Sequence, residues 1–145
     1  MSEMNEQLKI ATSLAKEKRF DEAIELLQAI IPQMGQIGGY SHSSYTKIIP
    51  YFQKAGKYSE VEEYCKGDLF SAVVTDCRNV LGHQPEETIN AFIHLFTCKI
   101  YDKLRLCAQR ESDLDSKLRF EDAARYHYEI YEKWLDKQGF NLGKI

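Results

Sequence analysis

The sequence predicts an all-α fold of antiparallel helix-turn-helix hairpins, stacked as a short array with a divergent C-terminal half. Three observations carry this. A short turn pattern recurs, apolar residues fall at helical spacing on either side of it, and only three prolines and eight glycines interrupt 145 residues. With 43% hydrophobic and 28% charged residues the composition is that of an ordinary globular domain, long enough to bury a core without staples or metals.

The recurrent pattern reads Lys18-Arg19-Phe20-Asp21-Glu22-Ala23, Gly56-Lys57-Tyr58-Ser59-Glu60-Val61 and Leu118-Arg119-Phe120-Glu121-Asp122-Ala123. A basic residue precedes an aromatic, followed by small or acidic, acidic and small apolar residues. This chemistry suits a tight connection between antiparallel helices. The aromatic plugs the turn, the acids sit in the first turn of the next helix where its dipole favours them, and the small residue permits close approach.

Ile10, Leu14 and Lys18 before the first turn, and Ala23, Leu27, Ile30 and Met34 after it, give hairpin one. Tyr45, Ile48, Ile49 and Phe52 before the second turn, and Val61, Tyr64 and Cys65 after it, give hairpin two; Phe20 to Tyr58 is a period of 38. Gly35 to Tyr40 reads as a flexible connection, and Ser41, Ser43 and Ser44 are N-cap candidates for the following helix. No Gly-Lys-Ser/Thr follows the Gly38-Gly39 pair and no strand precedes it, so it is not a phosphate loop.

Asp68 is placed to cap the next helix, which carries Leu69, Val73, Val80 and Leu81 and stops at Gly82. Pro85, with Glu86 and Glu87, opens a long helix whose stripe of Ile89, Phe92, Ile93, Phe96, Ile100, Leu104 and Cys107 runs to about Arg110. A break or kink is expected at Ser112-Asp113. The last helix is expected to open at Glu121 and to carry Ala123, His127, Ile130 and Trp134 beside Ala124, Tyr128, Tyr131 and Leu135, ending before Gly139. The expected organisation is one domain over 1–139 and a loose tail over 140–145.

The net charge of −3, with 19 basic and 22 acidic residues interspersed, offers no basic stripe for nucleic acid. The polar start Met1-Ser2-Glu3-Met4-Asn5-Glu6 lacks the signature of a secretory signal, and no run approaches a membrane span, so a cytoplasmic protein is expected. Cys65, Cys77, Cys98 and Cys107 form no Cys-x-x-Cys pair and read as small buried apolar residues of a reducing compartment.

His94 and Cys98 share a helix face, with Tyr101 and Arg105 continuing the line. Zinc needs three or four ligands, and Cys77, His83, Cys107 and His127 supply no characteristic spacing, so neither a metal nor a cofactor is expected. The carboxylate pairs at Glu62-Glu63, Glu86-Glu87 and Asp113 with Asp115 read as solvated faces, and no nucleophile signature accompanies the cysteines. His127 lies on an apolar stripe between Ala123 and Ile130 and reads as a hydrogen-bonded core histidine.

The turn pattern and its paired amphipathic helices resemble the tetratricopeptide repeat family over roughly residues 5–66. Gly56, Tyr58 and Val61, and Phe20, Ala23 and Leu27, fit the family's second helix. Where the family places tryptophan, leucine and glycine on its first helix, this chain has Gln7, Ile10 and Ala11, then Tyr45, Ile48 and Ile49, and its spacing of 38 exceeds the family's 34. Phe120-Glu121-Asp122-Ala123-Ala124 with Ile130 is similar to the UVR motif, a helical-hairpin interaction element, but His127-Tyr128 replace that motif's arginine-aspartate. Both resemblances imply binding of peptides or proteins.

The expected function is therefore a non-catalytic protein-protein interaction module, with Tyr45, Tyr64, Tyr101, Arg105, Tyr126 and Tyr128 as candidate partner contacts. The amphipathic start and aromatic end also allow a homodimer; neither nucleic acid nor membrane is an expected partner. A small immunity or antitoxin-type inhibitor, and a metal- or thiol-dependent enzyme using His94, Cys98 and Cys107, are the alternative classes.

Overall fold

The computed structural model describes residues 3–139, in which every regular element is helical. The elements are α1 (Glu3–Lys16), α2 (Phe20–Ile37), α3 (His42–Thr46), α4 (Ile48–Lys54), α5 (Tyr58–Tyr64), a π-helical turn (Cys65–Leu69), α6 (Phe70–Leu81), α7 (Glu86–Arg110) and α8 (Leu114–Gln138). They form two compact units, Met1–Val80 and Leu81–Ile145. The tail expected over 140–145 lies outside the described residues.

One backbone device closes all three hairpins. At the end of α1, Lys18 adopts φ 63°, while its amide donates to the Ala15 carbonyl at 3.0 Å and the Arg19 amide to the Leu14 carbonyl at 2.9 Å. Gly56 (φ 77°) repeats this with Gln53 and Phe52 as acceptors, and Ser112 (φ 57°) repeats it with Gln109 and Ala108. The left-handed residue reverses the chain and satisfies carbonyls that a helix end would otherwise leave bare.

The third turn is thus at Ser112-Asp113, where the sequence led us to expect a break, and not at Leu118–Ala123. Those residues lie inside α8, which opens at Leu114 rather than Glu121. In the two genuine turns the left-handed residue stands two places before the aromatic, at Lys18 and Gly56. The matching place before Phe120 holds Leu118, which lies within the continuous helix α8. Asp113 also caps the new helix, accepting from the Ser116 amide at 3.3 Å.

In the N-terminal unit, α2 is the central strut, with Ala23, Leu27, Ile31 and Met34 fully enclosed. The first helix presents Met4, Leu8 and Ala11; Ile10, placed on that face by the sequence, is 47% exposed. Hairpins one and two meet at their turns. Phe20 packs on Tyr51 at 5.9 Å between centroids, Lys54 lies over the Phe20 ring, and Lys57 pairs with Asp21 at 3.1 Å. Tyr45, Ile48, Ile49 and Phe52 form the expected apolar face, interrupted at Lys47 because Pro50 has no amide to offer the Thr46 carbonyl.

Asp68 does not cap a helix. The chain runs from α5 through the π-turn into α6 without stopping, the Phe70 amide reaching back to the Cys65 carbonyl. Nor is Gly35 part of a linker: it is buried in the last turns of α2, and a Cβ there would stand 2.7 Å from the Ala72 carbonyl oxygen. Only glycine lets α2 and α6 approach this closely.

Asp76 of α6, 6% exposed, completes the seam. Its carboxylate accepts from the Gly39 amide at 2.7 Å, the Tyr40 amide at 3.1 Å and the Tyr45 hydroxyl at 2.5 Å. One turn on, the Asn79 side-chain amide donates to the carbonyls of Gly35 and Gln36 at 3.0 and 2.9 Å. The α2–α3 connection is therefore tied to α6 rather than loose.

In the C-terminal unit, α7 and α8 form a long antiparallel hairpin, each helix 25 residues and so roughly 37 Å long. Its seam is an aromatic ladder. Phe92 packs on Trp134 and Tyr131 at 5.5 and 5.8 Å, and Tyr101 packs on Phe120 at 6.2 Å.

Two substitutions separate these effects by sign. Lys18→Gly relieves a left-handed lysine and is expected to stabilise the protein by about 1 kcal/mol. Gly35→Ala has the better helix propensity but drives a methyl into the α6 backbone, and is expected to destabilise by about 2 kcal/mol in urea unfolding. Asp76→Ala strands two amides and a buried hydroxyl, so a loss of about 3 kcal/mol is expected, with Asp76→Asn falling between it and the parent protein.

Candidate functional site

The α2–α6 seam leaves a groove on the surface of the N-terminal unit. One wall is the α2 stripe Gln28, Pro32 and Gln36, spaced four apart and so aligned along a single face. The opposite wall descends α5, the π-turn and α6 through Glu60, Glu63, Tyr64, Gly67, Asp68, Ser71 and Thr75. A hollow of about 390 Å³ over Phe52 and one of about 210 Å³ over Ala72 adjoin at Asp68.

Local sequence accounts for each wall. Pro32 keeps α2 helical but cannot donate to the carbonyl of Gln28, one turn earlier. On the far side, Cys-Lys-Gly-Asp-Leu forms the π-turn, a widened turn of a kind that recurs at functional sites. Gly67 sits at its middle, and a Cβ added there would meet nothing within 4 Å. The wall is open where the glycine stands.

The groove is electrically one-sided. Glu60, Glu63 and Asp68 line it, and no lysine or arginine is among its lining residues. Tyr64 packs on Phe52 at 5.4 Å between centroids, and its buried hydroxyl has no hydrogen-bond partner among the described residues. Burial, and then the charge of Asp68, raise its pKa far above the ordinary tyrosine value, so it stays a neutral donor.

The sequence-expected contacts are divided between the two units. Tyr45, 2% exposed and bound to Asp76, offers no surface to a partner; its pKa is raised by burial first and by Asp76 second. Tyr64 is the one candidate that lies in the groove. In the C-terminal unit, Tyr101 is half-buried and stacks on His127 at 5.8 Å, and Arg105 is held by Asp102 at 2.9 Å. Tyr126 (61%) and Tyr128 (42%) are exposed but diverge, Tyr126 edging His127 and Tyr128 leaning on Tyr131.

His94, read with Cys98 as a candidate ligand pair, instead meets His127 across the seam, Nδ1 to Nδ1 at 2.9 Å. Among the described residues no group of three histidine, cysteine, aspartate or glutamate side chains is placed to hold a metal ion. Two of the thiols are shifted away from the thiolate form. Burial and the Asp76 charge push Cys77 up to about 11, and burial and then Asp102 push Cys98 upward.

Sequence reasoning named Tyr64 but missed the rest of the groove. An isolated glycine within a helical pattern was the available signal at Gly67. Glu63 read as part of a solvated helix face and Glu60 as a first-turn acid of the second hairpin. The class the structure defines is an all-α protein of helical hairpins with an acid-lined groove in its N-terminal unit. No family model, curated protein or solved structure matches the chain. No helix among the described residues is long and apolar enough to cross a membrane.

Proposed function

We propose that this protein is a non-catalytic protein-binding module of tetratricopeptide-like type, whose N-terminal groove takes an extended peptide segment carrying basic side chains. The observation that carries the reading is the composition of the groove: three carboxylates and a buried tyrosine hydroxyl opposite the amides of Gln28 and Gln36. Carboxylates in a cleft attract lysine and arginine, and a bidentate arginine contact is the strongest pairing open to them.

The raised thiol pKa values of Cys77 and Cys98 weigh against nucleophilic chemistry, because the thiolate is the reactive form. The groove is polar and open, which suits a solvated peptide better than a small apolar ligand.

Selection from a random peptide library tests this. Lysine- and arginine-containing peptides are expected to be enriched, and their affinity to fall as salt is raised from 0.05 to 0.5 M by a factor on the order of ten. Gly67→Leu puts a side chain into open space, so it is expected to keep the fold, seen by circular dichroism and urea midpoint, while abolishing capture. Glu60→Gln with Glu63→Gln is expected to weaken capture several-fold. Enrichment without basic residues, or capture indifferent to Gly67→Leu, contradicts the proposal.

A further inference from the structure

The His94–His127 pair is the second chemistry-bearing cluster, and the groove does not use it. The rings meet edge to edge, 28° from parallel planes with centroids 5.1 Å apart and Nδ1 facing Nδ1 at 2.9 Å. A hydrogen bond between two Nδ1 atoms needs one to carry the proton and the other to accept it, so the two imidazoles must be opposite tautomers. Tyr101 lies parallel to His127 on α7 (5.8 Å, 9°), and Tyr126 meets it edge-on from α8 (5.1 Å).

The two phenols are in ring contact with His127, and the Cys98 thiol lies one turn beyond His94. Along the helices the pair's neighbours are Ala91 and Thr97 on α7, and Ala123, Ala124, Ile130 and Tyr131 on α8. Along the sequence the nearest charged groups to His127 are Arg125 and Glu129, each two residues away, and the nearest carboxylate to His94 is Glu87, seven before it; Asp102 and Asp122 are engaged by Arg105 and Arg125. His127 is perturbed by burial first and by His94 second, both lowering its pKa.

We infer that His94 and His127 form a proton-operated latch on the α7–α8 hairpin: closed while the pair shares a single Nδ1 proton, and forced apart when acidification charges both rings. With one proton on each Nδ1 the acceptor is gone, and two like charges face each other in a half-buried seam. Separation frees the Tyr101 stack, which crosses the seam midway between the Phe120 and Trp134 anchors, so acid loosens the middle of the hairpin first.

The sign follows from linkage. A histidine whose folded pKa lies below its unfolded value binds fewer protons in the folded chain, so stability is full above the unfolded pKa, near 6.5, and falls as pH drops below it. One withheld proton lowers the folding equilibrium constant by about tenfold per pH unit across that window.

Histidine NMR on the full chain is the test, with exposed His83 as internal reference. At pH 7.5 one of the two imidazoles is expected as the Nδ1–H tautomer and the other as Nε2–H. On acidification the pair is expected to titrate in two coupled steps, the second at lower pH than an uncoupled histidine. His94→Gln is expected to raise the His127 midpoint, and the double variant His94→Gln, His127→Gln to lose the excess fall in stability between pH 6.5 and 5. Independent titration of both histidines at the His83 midpoint, in the wild-type chain that needs no variant to fold, overturns the latch.

Discussion

The close approach of α2 to α6 is the constraint on which the N-terminal unit depends. Gly35 lets the α6 backbone come within a contact no Cβ allows, and Asp76 and Asn79 then satisfy the polar groups that the approach exposes. A carboxylate 6% exposed is costly to bury without partners. Here two amides and a hydroxyl offset that cost, and in return the end of α2 and the start of α3 are fixed. The groove walls are these same helices, so its width is set by the seam beneath it.

Flexibility of sequence at the turns contrasts with uniformity of backbone. Lysine, glycine and serine occupy the same left-handed position at Lys18, Gly56 and Ser112, each with the same pair of amide-to-carbonyl closures. Hairpins one and two were legible because an aromatic follows two places later. The third was misplaced because an equivalent aromatic pattern, at Phe120, falls inside α8, which Asp113 has already opened.

Helical periodicity identified the buried faces at Tyr45 to Phe52 and along α2, yet it could not say which aromatic on a face meets solvent. Tyr45 was offered as a contact and is instead sealed by Asp76, a partner 31 residues away that no local pattern announces. Tyr64 was identified, but the π-turn that opens the groove beside it has only Gly67 as a local sign. His127 was read as a hydrogen-bonded core histidine. Its partner, His94, stood in the sequence as a neighbour of Cys98, because spacing along one helix is visible and register between two is not. Polar sites built across elements stay hidden for this reason, while the apolar faces that support them do not.

Amide hydrogen exchange at Gly39 and Tyr40 tests most directly whether the seam holds the groove in place. Both lie outside regular helices, yet both donate to a buried carboxylate. They are expected to exchange as slowly as the central amides of α2, requiring opening of the unit itself. Exchange at the rate of an unprotected loop, with α2 still protected, would contradict the account.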